Sequence, residues 1–217
     1  MACREFKWLF ALPLAFLLLS ARPALAEFTL SIEDTTIAAG SGSVTLDVGI
    51  TPDGGSAAIA DFVLILEITP LEQTGDSTLR FVPMQSEAFL TDADYVFAGN
   101  SDVFNEGDSA VFSVTADELV LEDLTANFED AVFSTQRLMA TFDVEHLLGS
   151  TAAPATRGDQ YLVSISNESD FGNAAGDPIF SFTSRPGTLT ITAIPEPSMV
   201  SMLLLCGSAV SLRRKRR

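Results

Sequence analysis

Apolar and polar residues alternate one by one along much of this chain. Val44-Thr45-Leu46-Asp47-Val48-Gly49-Ile50 puts four aliphatic side chains on one side of an extended backbone and Thr45 and Asp47 on the other. Phe28-Thr29-Leu30-Ser31-Ile32 does the same. A helix would scatter these residues around its circumference, so the pattern restricts each segment to a half-buried strand. Further runs suited to strands cover Asp61 to Thr69, Leu79 to Met84, Tyr95 to Ala98, Ala110 to Thr115, Leu138 to Val144, Gln160 to Ser166 and Gly187 to Ile194. Turn residues part them: Pro52-Asp53-Gly54-Gly55 follows the second run, and Pro70 is expected to stop the run at 61–69. Residues 117–130 have room for one short helix or a turn. The pattern predicts an all-β fold, a single antiparallel β-sandwich of jelly-roll type with about nine strands.

Both ends of the sequence depart from this pattern. Arg4 and Lys7 precede an apolar stretch from Leu9 to Leu19, and Ala24-Leu25-Ala26 supplies small residues at Ala24 and Ala26. Residues 1–26 therefore read as a secretory signal peptide cleaved after Ala26. At the other end Pro195-Glu196-Pro197-Ser198 precedes a moderately apolar stretch at 199–212, then Arg213, Arg214, Lys215, Arg216 and Arg217. The apolar stretch is 14 residues long. As a helix it spans about 21 Å, short of a hydrocarbon core of roughly 30 Å, though flanking cations can snorkel. Those five cations favour the cytoplasmic side, with the bulk of the chain outside. Pro195 and Pro197 cannot continue the helix and leave an extended, protease-accessible segment.

Pro195, Glu196, Pro197, the span 199–212 and the cluster 213–217 resemble, in that order, the PEP-CTERM sorting tag of Gram-negative bacteria that make extracellular polysaccharide. The resemblance covers only residues 195–217. It implies processing near the motif by the membrane enzyme exosortase. It also implies an inner-membrane anchor and then a place at the cell surface or in the extracellular matrix.

Between these ends lies one domain, 27–194, of a length suited to a single core. Of 29 acidic residues only Glu5 and Glu196 fall outside it, and its basic residues are Arg80, Arg137, Arg157 and Arg185, a net charge of −23. Phosphate would be repelled, which excludes nucleic acid and anionic membrane surfaces as partners. Cys3 and Cys206 fall in the two ends, so the exported body has no disulfide and must be held by core burial.

Little chemistry is legible. His146 is the only histidine and follows Asp143-Val144-Glu145 at a strand end, where a solvent-facing loop position is expected. No His-based metal triad can form, and no Gly-x-Ser-x-Gly motif marks a hydrolase. No catalytic residue is assigned, and the chain is read as a non-enzyme. Asn100, Asp102, Asn105 and Asp108 gather hard oxygen donors in one Gly-bearing loop, as Ca²⁺ prefers, without the spacing of an EF-hand. Two readings stay open there, a calcium loop or solvated acidic turns, and no other cofactor is implied. The body has no Trp; among its aromatic residues Tyr95, flanked by Asp92, Asp94 and Asn100, is the candidate for an exposed sugar platform, and burial in a strand is the alternative.

The run Asp61-Phe-Val-Leu-Ile-Leu-Glu-Ile-Thr-Pro70, the late series at 137–144 and 161–166, and the closing Gly187-Thr-Leu-Thr-Ile191 resemble cohesin-like sandwiches, a fold shared with some carbohydrate-binding modules. The resemblance implies a fold and a binding tendency. Two functional expectations follow. One is a non-catalytic exported surface or matrix protein, sorted by its tag. The other is a module binding a glycan, such as extracellular polysaccharide, or a surface protein, with or without calcium.

Overall fold

The computed structural model describes residues 28–40, 42–73, 76–149, 158–179 and 181–192. The segments read as export signals, 1–26 and 195–217, lie outside the described residues. The chain runs through β1 (Phe28–Ile32), β2 (Thr35–Ala38), β3 (Val44–Pro52), β4 (Ala57–Ile59), β5 (Asp61–Glu72) and β6 (Thr78–Phe81). A 3-10 turn at Ala88–Thr91 and a short helix α1 (Asp102–Glu106) follow. Then come β7 (Val111–Val114), β8 (Glu118–Leu124), β9 (Ala131–Phe133), β10 (Arg137–Leu147), β11 (Gln160–Ile165), β12 (Asp170–Gly172), β13 (Phe182–Arg185) and β14 (Gly187–Thr192).

Two sheets hold nearly all of these strands. One is five-stranded, in the order β13-β1-β3-β10-β6. The other is seven-stranded, in the order β2-β14-β11-β5-β8-β7, with β12 beside β5. β4 and β9 form a separate ribbon. The alternation read from sequence is what packs the sheets together. On β5, Phe62, Leu64, Leu66 and Ile68 are buried; on β3, Leu46, Val48 and Ile50 are buried. These side chains and those of the facing sheet form one apolar cluster. Each fully buried side chain of this size contributes about 1.5–3 kcal/mol. Aromatic rings add directed contacts, as where Phe28 meets Phe171 edge-on at 5.1 Å and Phe81 meets Phe142 at 5.8 Å.

The sandwich is not antiparallel throughout. β1 runs parallel to β13, and β2 runs parallel to β14. The reason lies at one corner. β1 and β2 are consecutive but belong to different sheets, and so are β13 and β14, so both pairs of strands change sheet side by side. Thr188 N–H donates to the Asp34 carboxylate there at 2.7 Å. A Cβ on Gly187 would come within 2.7 Å of Ile32 and 2.9 Å of the Glu33 carbonyl, so only glycine fits.

Other boundaries also moved. Pro70 does not end its strand; β5 runs on to Glu72, with Pro70 opposite Tyr161 beside a register shift, where a missing N–H is tolerated. Tyr95 to Ala98 is a turn with one bridge, from Tyr95 to Leu138, rather than a strand. Residues 118–124, expected to hold a helix or turn, are β8, and the one short α-helix among the described residues is α1. Alternation at Leu119, Leu121 and Asp123 was present there, but the charged residues beside them masked it.

Candidate functional site

The middle of the seven-stranded sheet is unusual on its solvent side. On β5 the residues between the core positions are Asp61, Val63, Ile65, Glu67 and Thr69, of which Val63, Ile65 and Glu67 are half-buried. Across the ladder Val120 lies opposite Ile65, Glu122 opposite Val63, and Glu118 opposite Glu67. Leu162 of β11 lies opposite Thr69. Val63, Ile65 and Val120 thus make an apolar centre on a face turned away from the core, with Leu162 apart from them beyond Glu67 and Ser164. Around it stand Asp61, Glu67, Glu118, Glu122 and Asp170, and no basic residue lies in any strand of this sheet.

Directly opposed like charges such as Glu67 and Glu118 work against strand pairing. Asp61 reports a similar imbalance: burial first, then the nearby Asp170 carboxylate, push its pKa above the usual range, and the Gly172 backbone amide only partly opposes them. The chain turns out of β11 and into β12 against Ile65, whose N–H donates to the Ser169 hydroxyl at 3.0 Å while its carbonyl accepts from Ser166 N–H at 2.8 Å. The continuous apolar run Phe62-Val63-Leu64-Ile65-Leu66 was the sequence signal for this face, because a strand with one solvated side should alternate.

The five-stranded sheet presents a different outer surface. Thr45 donates to Asp143 at 2.5 Å, Arg80 Nε donates to Glu145 at 2.7 Å, and Arg137 lies 3.7 Å from Asp94. A shallow polar groove of about 530 Å³ crosses it at Gly49, lined by Ser31, Asp47, Gln136, Arg137 and Asp94 among others.

His146 is not solvent-facing. It lies within β10, is 2% exposed, and accepts the Gly40 N–H through Nδ1 at 3.2 Å. Its strand continues to Leu147, so the expected loop position is inside the sandwich. Ser77 and Asp159 are buried near it, with the Ser77 hydroxyl donating to Asp159 at 2.9 Å. Those are the residue types of a hydrolytic triad, but the serine is wired to the carboxylate rather than to the imidazole. His146 Nε2 has no hydrogen-bond partner.

The segment from Asn100 to Asp108 folds as a capped helical turn. Ser101 caps α1 by accepting the Phe104 N–H, Asp102 opens the helix, and Gly107 ends it in the left-handed conformation. The Asn100 carboxamide donates to Asn127 at 2.7 Å, Asn105 lies within the helix, and the Asp108 N–H donates to the Val103 carbonyl. Among the described residues no three His, Cys, Asp or Glu side chains are gathered as a metal site. Tyr95 is 1% exposed, with its hydroxyl donating to Asp123 at 2.6 Å, so it offers no platform to a sugar. Burial and the Asp123 carboxylate push the Tyr95 phenol far up. No helix among the described residues is long and apolar enough to cross a membrane. Ala24, Ala26, Pro195, Glu196, Pro197 and the cluster 213–217 lie outside the described residues.

Solved cohesin modules have similar structures. The third cohesin of ScaC from Acetivibrio cellulolyticus, in complex with the ScaB dockerin, matches 76% of this chain and 99% of that chain at 12% identity and a TM-score of 0.50. A non-cellulosomal cohesin from Archaeoglobus fulgidus matches 82% of this chain and 98% of that chain at 11% identity and a TM-score of 0.47. At such identity the likeness is one of fold, a cohesin-like β-sandwich. No protein-family model matches the sequence, and no curated protein does.

Proposed function

We propose that this chain is a non-catalytic exported protein whose sandwich binds a protein partner through the outer face of the seven-stranded sheet. One observation carries the reading: Val63, Ile65 and Val120 form an apolar centre on a solvent-facing sheet, beside carboxylates that no cation of the same sheet neutralises. Apolar centres with polar rims are the anatomy of protein interfaces. The ScaC cohesin of similar fold was solved bound to a protein, a dockerin, which supports a protein partner here over a glycan. Burial of Tyr95 removes the tyrosine read from the sequence as a sugar platform.

The ends of the sequence supply the route. Cleavage after Ala26 exports the body, the tail at 199–217 holds it at the inner membrane, and exosortase processing near Pro195-Glu196-Pro197 passes it to the surface or the polysaccharide matrix. Calcium at Asn100, Asp102, Asn105 and Asp108 remains a proposal that a chelator tests, through a fall in melting temperature.

The binding face is tested by placing a photo-crosslinking residue at Ile65 or at Thr141 in the protein exported by its own cells. A discrete protein adduct from position 65 and none from position 141 is expected. Ile65→Lys should weaken the captured complex at least tenfold (~1.4 kcal/mol). Equal labelling from both faces, or none from position 65, would overturn the reading. Intact mass of the exported form tests the route, which requires Glu27 at its start and loss of the basic cluster.

A further inference from the structure

His146 joins the two sheets through a side-chain hydrogen bond. It stands on β10 of the five-stranded sheet, and its Nδ1 receives the N–H of Gly40, where the chain leaves β2 of the other sheet. β2 is an edge strand, held by parallel pairing to β14, by bonds from Ala39 N–H to the Thr192 carbonyl and from the Thr192 hydroxyl to the Ile37 carbonyl, and by burial of Ile37 and Ala39. Because Nδ1 accepts, its lone pair is free and the neutral ring carries its proton on Nε2. That Nε2–H is buried without a partner. A protonated ring has no lone pair left at either nitrogen and cannot accept the Gly40 N–H.

We propose that His146 is an acid-released latch: neutral, it ties Gly40 and the end of β2 to β10, and on protonation it lets them go. The surroundings favour the neutral form. From β11 the ring faces Tyr161, edge-on at 6.4 Å between centroids, and the buried Asp159 just before that strand. Asp159 favours a charged ring, but its carboxylate already accepts from Ser77, and the Tyr161 hydroxyl donates to the Ser77 carbonyl at 3.3 Å. On β6, Leu79 lies opposite His146, while Arg80 beside it is paired with Glu145 on the outer surface. Asp76 packs against Gly149 farther along. Gly40 brings no titratable group.

Burial outweighs Asp159 and lowers the imidazole pKa from its ordinary value. The sign follows. Above the unfolded value of about 6.5 the latch is closed and its stability is complete; as pH falls from there through the lowered folded value, the unfolded chain takes the proton first and stability is lost. Protonation therefore loosens one edge strand, exposing the outer edge of β14.

A single histidine in the chain makes the test direct. Imidazole nitrogen shifts and the Gly40 amide protection factor are followed by NMR from pH 7.5 to 4.5. The latch requires the Nε2–H tautomer at pH 7.5 and a midpoint below 6.5. It also requires at least a tenfold fall in Gly40 protection through that midpoint, while the Val163 amide in mid-sheet holds. His146→Asn keeps an acceptor near the Nδ1 position without a titratable ring and should show no such step; should it not fold, the wild-type titration alone decides. An Nδ1–H tautomer, a midpoint at or above 6.5, or Gly40 protection that ignores the titration would overturn the proposal.

Discussion

Strands of the seven-stranded sheet carry Asp61, Glu67, Glu72, Glu118, Glu122, Asp123 and Asp170 with no basic residue, whereas those of the five-stranded sheet set Asp47, Asp143 and Glu145 against Arg80, Arg137 and Arg185. The inner faces of the two sheets are alike: both are built of Phe, Leu, Ile and Val that merge into one cluster. The difference is confined to what each shows to solvent. One outer face settles its own charge through Arg80–Glu145 and Arg137–Asp94. The other leaves its carboxylates around an apolar centre and so has chemistry left over for a partner. Among the strands, unbalanced acid is thus confined to one sheet, which net charge alone cannot reveal.

If the inner faces are equivalent, truncation on either should cost alike. Phe142→Ala removes a fully buried ring from the five-stranded sheet, and Leu64→Ala removes a fully buried side chain from the seven-stranded one. Denaturant titration should show losses of about 3–5 kcal/mol for the first and about 2–5 for the second. A loss under ~1 kcal/mol at either position would mean that the sheets do not share one core.

The inner face of the seven-stranded sheet also holds a buried carboxylate, Asp123. It is 3% exposed and accepts from the Tyr95 hydroxyl at 2.6 Å and from the backbone N–H groups of Val103 and Leu124. Tyr95→Phe keeps the ring contacts with Phe89 and Phe97 but takes one donor from a buried carboxylate. The expected cost is about 1–3 kcal/mol by thermal or denaturant unfolding. A neutral outcome would show that water replaces the hydroxyl, and that this end of the sandwich is wetter than its burial suggests.

These contrasts also mark what could be read from residues alone. Strand character was legible wherever inward positions alternate, because period two is a local property. The dense run at 61–69 was visible as well, and it is the one local sign of the apolar outer face. Pairing was not legible. β1 with β13 and β2 with β14 join residues near opposite ends of the body, and nothing at Phe28 or Thr35 encodes a parallel neighbour. His146 was misplaced for the same reason, since its acceptor role depends on Gly40, 106 residues away. Pro70 was read as a stop because the register shift that accommodates it, at Leu71, appears only once β5 is paired with β11.

The smallest effect is the most specific to the acidic face. Asp61 has its pKa raised by burial and then by Asp170, so in the fold its charged form is the disfavoured one. For a carboxylate shifted in this direction the native state holds its proton more tightly than the unfolded chain does. Stability therefore rises as pH falls through the folded value and is lower above it. Asp61→Asn should stabilise the protein at pH 7 by well under ~1 kcal/mol, because the residue is only partly withdrawn from water and its charge is screened. The gain should shrink as pH falls through the raised folded value and vanish below the unfolded value of about 3.9, where both states are protonated. A basic group of a bound partner seated between Asp61 and Asp170 would do what the substitution does, by favouring the charge instead of removing it. The stabilisation by Asp61→Asn should then be lost, or reversed, in the complex, and a gain of equal size in free and bound protein would place the partner elsewhere.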